Sequence, residues 1–153
     1  MRTKEVPTNH PGDDETGFYK IPDIDKRGSI KREKIRKWIE GGYIEPFYRV
    51  PYKRGEICYF AKAQLYEIKL FEHFVKLGVS RHYAKVWVKS FDKLRRNRKE
   101  EPKSVTVILK KDAIVEINLV YDNVFKLELE ENDDGAYVVN FKKIYDEINQ
   151  KFT

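Results

Sequence analysis

Three segments in the first two thirds of the chain place apolar residues three and four positions apart, the spacing of one face of an α-helix. The first predicts a helix over residues 30–40, with Ser29 as its N-cap and a glycine pair at its end. The others predict helices over residues 63–77 and from Ser80 to about Arg98. The apolar face of the last helix comprises Tyr83, Val86, Trp87, Phe91 and Leu94.

Between the first two of these helices, aromatic and β-branched residues cluster around prolines and a glycine, a composition typical of strands joined by a turn. Residues 47–50 and 57–60 predict two strands, and residues 51–56 predict the loop that joins them. Because Lys53 and Arg54 lie in this loop, the sequence predicts a β-hairpin with a positively charged tip.

In the last third of the chain, apolar and polar residues alternate, which is the period of a strand. Residues 105–109, 115–121 and 125–129 predict an antiparallel meander, and residues 136–140 predict a fourth strand or a short extended connection. Asn140 then caps a final helix. The inward-facing residues of this helix are Phe141, Ile144, Tyr145, Ile148 and Phe152.

Together these elements predict an α+β protein with three parts. Residues 1–18 hold prolines and glycines among polar residues and predict a disordered arm. Residues 19–101 have the element order of a winged helix-turn-helix, in which a short helix enters the major groove and a hairpin contacts the flanking phosphates. Residues 102–153 predict a small α+β domain, and the sequence leaves open whether a helix forms over residues 21–26.

The formal net charge of +6 is spread unevenly over these parts. Residues 1–18 carry a net charge of −2, residues 19–103 carry +12, and residues 104–153 carry −4. A basic middle beside an acidic tail indicates a polyanion, such as nucleic acid, as the partner of the middle part. A solvated, lysine-rich surface accounts for the same charge about equally well.

Signals for other classes of protein are missing from the sequence. No apolar run approaches the roughly 18 residues that span a bilayer, and the N-terminus lacks the apolar stretch of a secretory signal, so we expect no membrane partner. The single Cys58 forms no internal disulfide, which favours a reducing, cytoplasmic setting. His10, His73 and His82 have no cysteine or carboxylate at metal-ligand spacing. We therefore expect no enzyme activity, no metal and no cofactor.

Residues 19–46 resemble the DNA-binding head of the MerR family of transcriptional regulators. The matching residues are Ile21, Asp23, Ile24, Ile30, Ile35, Arg36, Trp38, Gly42, Ile44 and Pro46. The third and fourth helices of the family fit Tyr59, Leu65, Ile68, Leu77, Gly78 and Ser80. The resemblance therefore covers about residues 19–94, and its most specific stretch is residues 35–46.

The resemblance implies a sequence-specific double-stranded DNA-binding protein, a transcriptional regulator. The expected DNA-binding residues are Lys31, Arg32, Lys34, Arg36, Lys53, Arg54 and Tyr59. The first three match the base-facing start of the recognition helix, Arg36 matches a phosphate contact, and Tyr59 matches a wing tyrosine that contacts the DNA backbone. Second interpretations stay open: Lys31, Arg32 and Lys34 can solvate the helix, Arg36 can pair with Glu40, and Tyr59 can be a core residue. Residues 102–153 would then form a homodimer or bind an unknown effector or partner protein.

The chain departs from the pattern of the family at several positions. Asp25 stands where the family has alanine, Arg27 replaces a core leucine, Ser29 replaces a turn glycine, and Ile57 replaces a wing arginine. Two alternatives therefore stay open: an excisionase-like or packaging architectural DNA-binding factor, and a winged-helix protein–protein adapter. A second helix-turn-helix over residues 77–83 is also conceivable, although a helical hairpin is the better interpretation of that segment.

Overall fold

The computed structural model describes residues 17–96, 98–111, 115–122 and 127–152. In chain order, these residues form β1 (Phe18–Lys20), α1 (Ile21–Gly28), α2 (Arg32–Glu40), β2 (Tyr48–Tyr52), β3 (Gly55–Ala61), α3 (Lys62–Lys76), α4 (Arg81–Arg95), β4 (Ser104–Lys110), β5 (Val115–Val120), β6 (Asp133–Val139) and α5 (Phe141–Lys151). The strands make two antiparallel three-stranded sheets, ordered β1-β3-β2 and β5-β4-β6. The predicted α+β class is therefore confirmed.

The described residues divide into two compact units. Unit 1 comprises those up to Lys69 and those from Ile148 onward, and unit 2 comprises those from Leu70 to Glu147. The division falls within α3 and α5, whereas the sequence places a domain boundary at residue 102. The physical reason is that α4 packs on the second sheet, while the last residues of the chain pack with the first.

The start of unit 1 differs from the prediction at two places. The predicted disordered arm lies outside the described residues up to residue 16, but Phe18 already belongs to β1, where it pairs with Ala61 of β3. α1 is a complete helix of 8 residues, which answers the question left open over residues 21–26. Ser29 adopts a left-handed conformation (φ 58°) and ends α1, so it is not the N-cap of α2, a position that Lys31 takes.

The end of the chain completes the core of unit 1. The Tyr19 hydroxyl donates a 2.8 Å hydrogen bond to the Phe152 carbonyl oxygen, and the two rings meet edge to face with their centroids 5.1 Å apart. The Tyr66 hydroxyl bonds the Asn149 side-chain oxygen at 2.8 Å. These contacts join residues more than 80 positions apart in sequence, so they form only when the chain is folded.

The hairpin of β2 and β3 has the predicted register but a shorter turn. Val50 pairs with Ile57, as expected from the predicted strands, and the pairing continues out to Tyr52 and Gly55. The turn therefore consists of Lys53 and Arg54 alone, rather than the predicted loop over residues 51–56.

α4 of unit 2 begins as predicted but turns a different face inward. The Ser80 side chain accepts a hydrogen bond from the Tyr83 backbone N–H at 3.2 Å, which confirms the cap, and the helix ends at Arg95 rather than near Arg98. Its buried residues are Ala84, Trp87, Val88 and Phe91. Three residues predicted on the apolar face, Tyr83, Val86 and Leu94, are exposed. Ala84, Trp87, Val88 and Phe91 are three or four positions apart and therefore lie on one side of the helix. This side packs on the β5-β4-β6 sheet.

The predicted meander is wrong, because β4 and not β5 is the central strand. Residues 105–108 of β4 are all buried, which suits a strand covered on both sides and flanked on both edges. The predicted third strand over residues 125–129 falls partly outside the described residues, and the described residues 127–130 are exposed and form no strand. β6 takes its place beside β4, and Asn140 then caps α5 by accepting a bond from the Lys143 backbone N–H.

Candidate nucleic-acid interface

α2, the helix that resembles a recognition helix, is capped by a side chain from α1. The N-cap residue Lys31 makes no side-chain capping bond. Instead, Asp25 Oδ2 accepts hydrogen bonds from the Arg32 backbone N–H at 3.2 Å and from Arg32 Nε at 3.0 Å. These bonds hold the pKa of the Asp25 carboxyl below its usual range, and the nearby charge of Lys31 lowers it further. α1 thus fixes both the start of α2 and the direction of the Arg32 side chain.

The cations of α2 are exposed but lie on two sides of the helix. Its buried face consists of Ile35, Trp38 and Ile39. Arg32 and Arg36 are four positions apart and share one side, whereas Lys34 is two positions from each and points to the other side. The expected base-facing set of Lys31, Arg32 and Lys34 therefore does not form a single face.

Arg36 is exposed on α2, and its charge reaches one residue of the hairpin. Its positive charge acts on the thiol of Cys58 in β3, and Cys58 pairs with Arg49 across the hairpin. Burial and nearby Glu56 raise the pKa of Cys58 to about 11, while Arg49 and Arg36 oppose that rise. Among the described residues, no ion pair joins Arg36 to Glu40, so the alternative role of Arg36 is not realised.

The hairpin tip carries two exposed cations and an exposed ring. Lys53 and Arg54 are both exposed, and Tyr52 retains 54% of its accessible surface. Lys53 Nζ lies 5.2 Å from the centre of the Tyr52 ring. Lys53 also has a positive φ of 53°, which the two-residue turn requires at its first position and which costs a non-glycine residue about 1–2 kcal/mol.

Tyr59 is not part of this surface. Only 2% of it is exposed, because β3 is the central strand of its sheet and Tyr59 lies between Lys20 of β1 and Tyr48 of β2. The core interpretation of this residue is therefore the one that fits its position, and a direct contact with a duplex is not available to its side chain.

The structure adds three residues that the sequence did not place in the site: Asp25, Arg49 and Tyr52. Arg49 Nη1 is held by Glu56 Oε1 at 3.0 Å, beside Cys58. The sequence predicts the two strands that carry Arg49 and Cys58, but it gives no signal for the ion pair of Arg49 with Glu56. The bonds of Asp25 to α2 depend on the turn between α1 and α2, in which Ser29 takes the left-handed conformation, and helical spacing does not predict them.

Comparison with known proteins does not assign this chain to a family. No family model matches it, and a search of the curated proteins finds no match. Within the described residues, every helix is too short or too polar to cross a membrane. In the same part of the chain, no three histidine, cysteine or acidic side chains come together as metal ligands.

Proposed function

We propose that this protein binds double-stranded DNA as a MerR-like transcriptional regulator, with α2 as the recognition helix and the β2–β3 hairpin as the wing. One observation carries the proposal: six exposed cations of α2, its N-cap and the hairpin tip have no acidic partner among the described residues. They are Lys31, Lys34, Arg36, Lys37, Lys53 and Arg54. A duplex would supply the missing anions, because Lys and Arg that neutralise phosphates release condensed counterions.

The charge of the whole of unit 1 supports the same partner. Its described residues include 14 basic and 7 acidic side chains, a clear excess of positive charge. An excess of this kind raises the local concentration of a polyanion and speeds its encounter with the protein. Both α2 and the hairpin belong to this unit.

The roles of the residues follow from their surroundings. Arg36, Lys53 and Arg54 are unpaired point charges, which suits contact with phosphates. The first turn of α2 carries Arg32 with its hydrogen-bond donors held in one direction, which suits contact with base edges. A cytoplasmic location goes with this function.

The test is a binding titration of the full chain against a fluorescein-labelled, random-sequence 20-base-pair duplex at several salt concentrations. Contacts with about 4–6 phosphates predict a slope of log K against log salt near −4 to −5. A heparin competitor and a single strand of equal length serve as controls for charge alone. No measurable duplex binding at low salt, or equal affinity for all three polyanions, would overturn the proposal.

A protein partner for unit 2 is the second candidate, and it is compatible with the first. Tyr83, Val86 and Leu94 expose 45–56% of their surface and fall on one side of α4 by helical spacing, and a continuous exposed apolar stripe favours protein contact. A homodimer formed through residues 102–153, an effector, or a protein adapter role would each use such a face. Sedimentation equilibrium of the wild type and of Leu94→Lys tests the dimer: a wild-type monomer at micromolar concentration excludes it. DNA bending measured by gel mobility separates an architectural factor from a regulator.

A further inference from the structure

We infer that Asp25 is a positioning residue that directs Arg32 toward a guanine base in the bound duplex. This inference rests on the proposed function and goes beyond it, because it assigns one base to one side chain. It concerns a position at which the chain departs from the family that it resembles.

The Arg32 guanidinium is held at one edge and open at the other. Asp25 Oδ2 accepts from Nε of Arg32 and from its backbone N–H, so the Arg32 backbone and the Nε edge of its guanidinium are both tied to α1. The two terminal Nη groups have no partner among the described residues, and 44% of the side chain is exposed. Two parallel donors therefore project from the first turn of α2.

This pairing separates Arg32 from the other cations of the surface. An arginine joined to a carboxylate has little net charge left with which to attract phosphate, so its contribution to non-specific affinity is small. What remains is a pair of directed donors. In the major groove, guanine presents O6 and N7 as two adjacent acceptors, and bidentate pairing of arginine with them is the commonest specific contact.

The anchor also lowers the entropy that Arg32 loses on binding. A free arginine side chain has many rotamers, and a partner that selects one of them before binding improves the discrimination between a fitting base and a misfitting one. Lys34 cannot take this role, because it lies on the other side of α2 and has no partner that fixes its direction.

The experiment starts with selection of the best duplex from a random-sequence 20-base-pair library by the full-length protein. Each guanine of that duplex is then replaced, one at a time, by 7-deazaguanine, which lacks the N7 acceptor but keeps the base pair. Wild type is compared with Asp25→Asn, Arg32→Lys, Arg32→Ala and Glu33→Gln. Glu33→Gln is the matched control, because it removes the same charge from an exposed neighbour that does not contact Arg32.

We expect one guanine at which 7-deaza replacement weakens wild-type binding roughly 10-fold. The penalty should fall below about 3-fold in Asp25→Asn, Arg32→Lys and Arg32→Ala, and persist in Glu33→Gln. Arg32→Lys leaves Asp25 in place, so it tests the contact even if Asp25→Asn destabilises α2.

The outcomes separate this inference from the proposed function. If the protein binds no duplex, the proposed function fails. If it binds a selected duplex and no guanine is sensitive, or if the sensitivity persists in Asp25→Asn and Arg32→Lys, DNA binding stands and the guanine assignment is overturned.

Discussion

Two helices of this protein, α2 and α4, follow a turn and carry lysine and arginine on their exposed faces, yet their surroundings differ. α2 belongs to a unit whose described residues include 14 basic and 7 acidic side chains. α4 belongs to a unit with 14 basic and 13 acidic side chains among its described residues. At its C-terminal end, Arg95 is paired with Glu101 and Arg96 with Asp92.

The charge of a helix does not by itself define a polyanion site. α4 has exposed cations of its own, at Arg81, Lys89 and Lys93, but they lie on a nearly neutral unit and share the helix surface with exposed apolar residues. α2 has fewer residues, but it belongs to the same strongly basic unit as the hairpin with its two tip cations.

The largest effect is expected in stability, from Phe152→Ala. Phe152 is 1% exposed and packs on Tyr19, so its truncation should lower the free energy of unfolding by about 3–5 kcal/mol. Trp38 reports on unit 1 and Trp87 on unit 2, so urea unfolding is followed by fluorescence in Trp87→Phe and Trp38→Phe backgrounds. Leu94→Ala, at an exposed site, is the control and should cost less than about 0.5 kcal/mol. A loss for Phe152→Ala no larger than that of the control contradicts the assignment of the chain end to the core of unit 1.

The second prediction compares the two helices directly. Replacing Arg36, Lys53 and Arg54 together by alanine should weaken duplex binding roughly 100-fold or more and reduce the salt slope by about 3. The matched variant replaces three exposed cations of α4 by alanine. It should change the slope by less than about 1. The opposite ranking would move the interface to α4 and support the second helix-turn-helix interpretation.

A smaller effect is expected at the hairpin tip, where stability and binding should change in opposite directions. Lys53→Gly removes a side chain from a left-handed position and should stabilise unit 1 by about 1 kcal/mol, while it weakens duplex binding and reduces the salt slope by about 1. Arg54→Gly removes the same charge from a position without positive φ, so it should weaken binding without stabilising the fold. Equal stability changes for the two variants would show that Lys53 is not strained.

The smallest effect is expected in stability at low pH, where one ion pair from each unit is compared. Hydrogen bonds from Arg32 lower the pKa of Asp25, and a hydrogen bond from Lys110 (2.9 Å) lowers that of Asp133. A carboxyl with a lowered folded-state pKa stabilises the fold above its unfolded pKa, and this contribution is lost as the pH falls through the folded value. We therefore expect the urea concentration at the midpoint of unfolding to decrease when the pH is lowered below about 4. The fall should be smaller in Asp25→Asn for the Trp38 probe and in Asp133→Asn for the Trp87 probe; an unchanged pH profile in both variants would contradict the prediction.

Much of the local structure was predictable from the sequence. Helical spacing located α2, α3 and α5 to within two residues at each end, and the predicted strands gave the hairpin register that puts Arg49 opposite Cys58. The sheet order and the inward face of α4 were not predictable. Alternation along a strand says which residues share a face, but not which strand lies in the centre, and helical spacing around Trp87 fits two overlapping stripes.

In the candidate site, too, local features were predictable from the sequence and contacts between elements were not. The sequence by itself determined the positive charge of the middle of the chain, the helix that ends at its glycine pair and the basic hairpin tip, because these depend on neighbouring residues. Only the tertiary structure decided that Asp25 holds Arg32, that Tyr59 is buried, and that the chain end packs on Tyr19. The physical reason is that these contacts join residues from separate elements, and their geometry is set by packing of the whole unit rather than by local spacing.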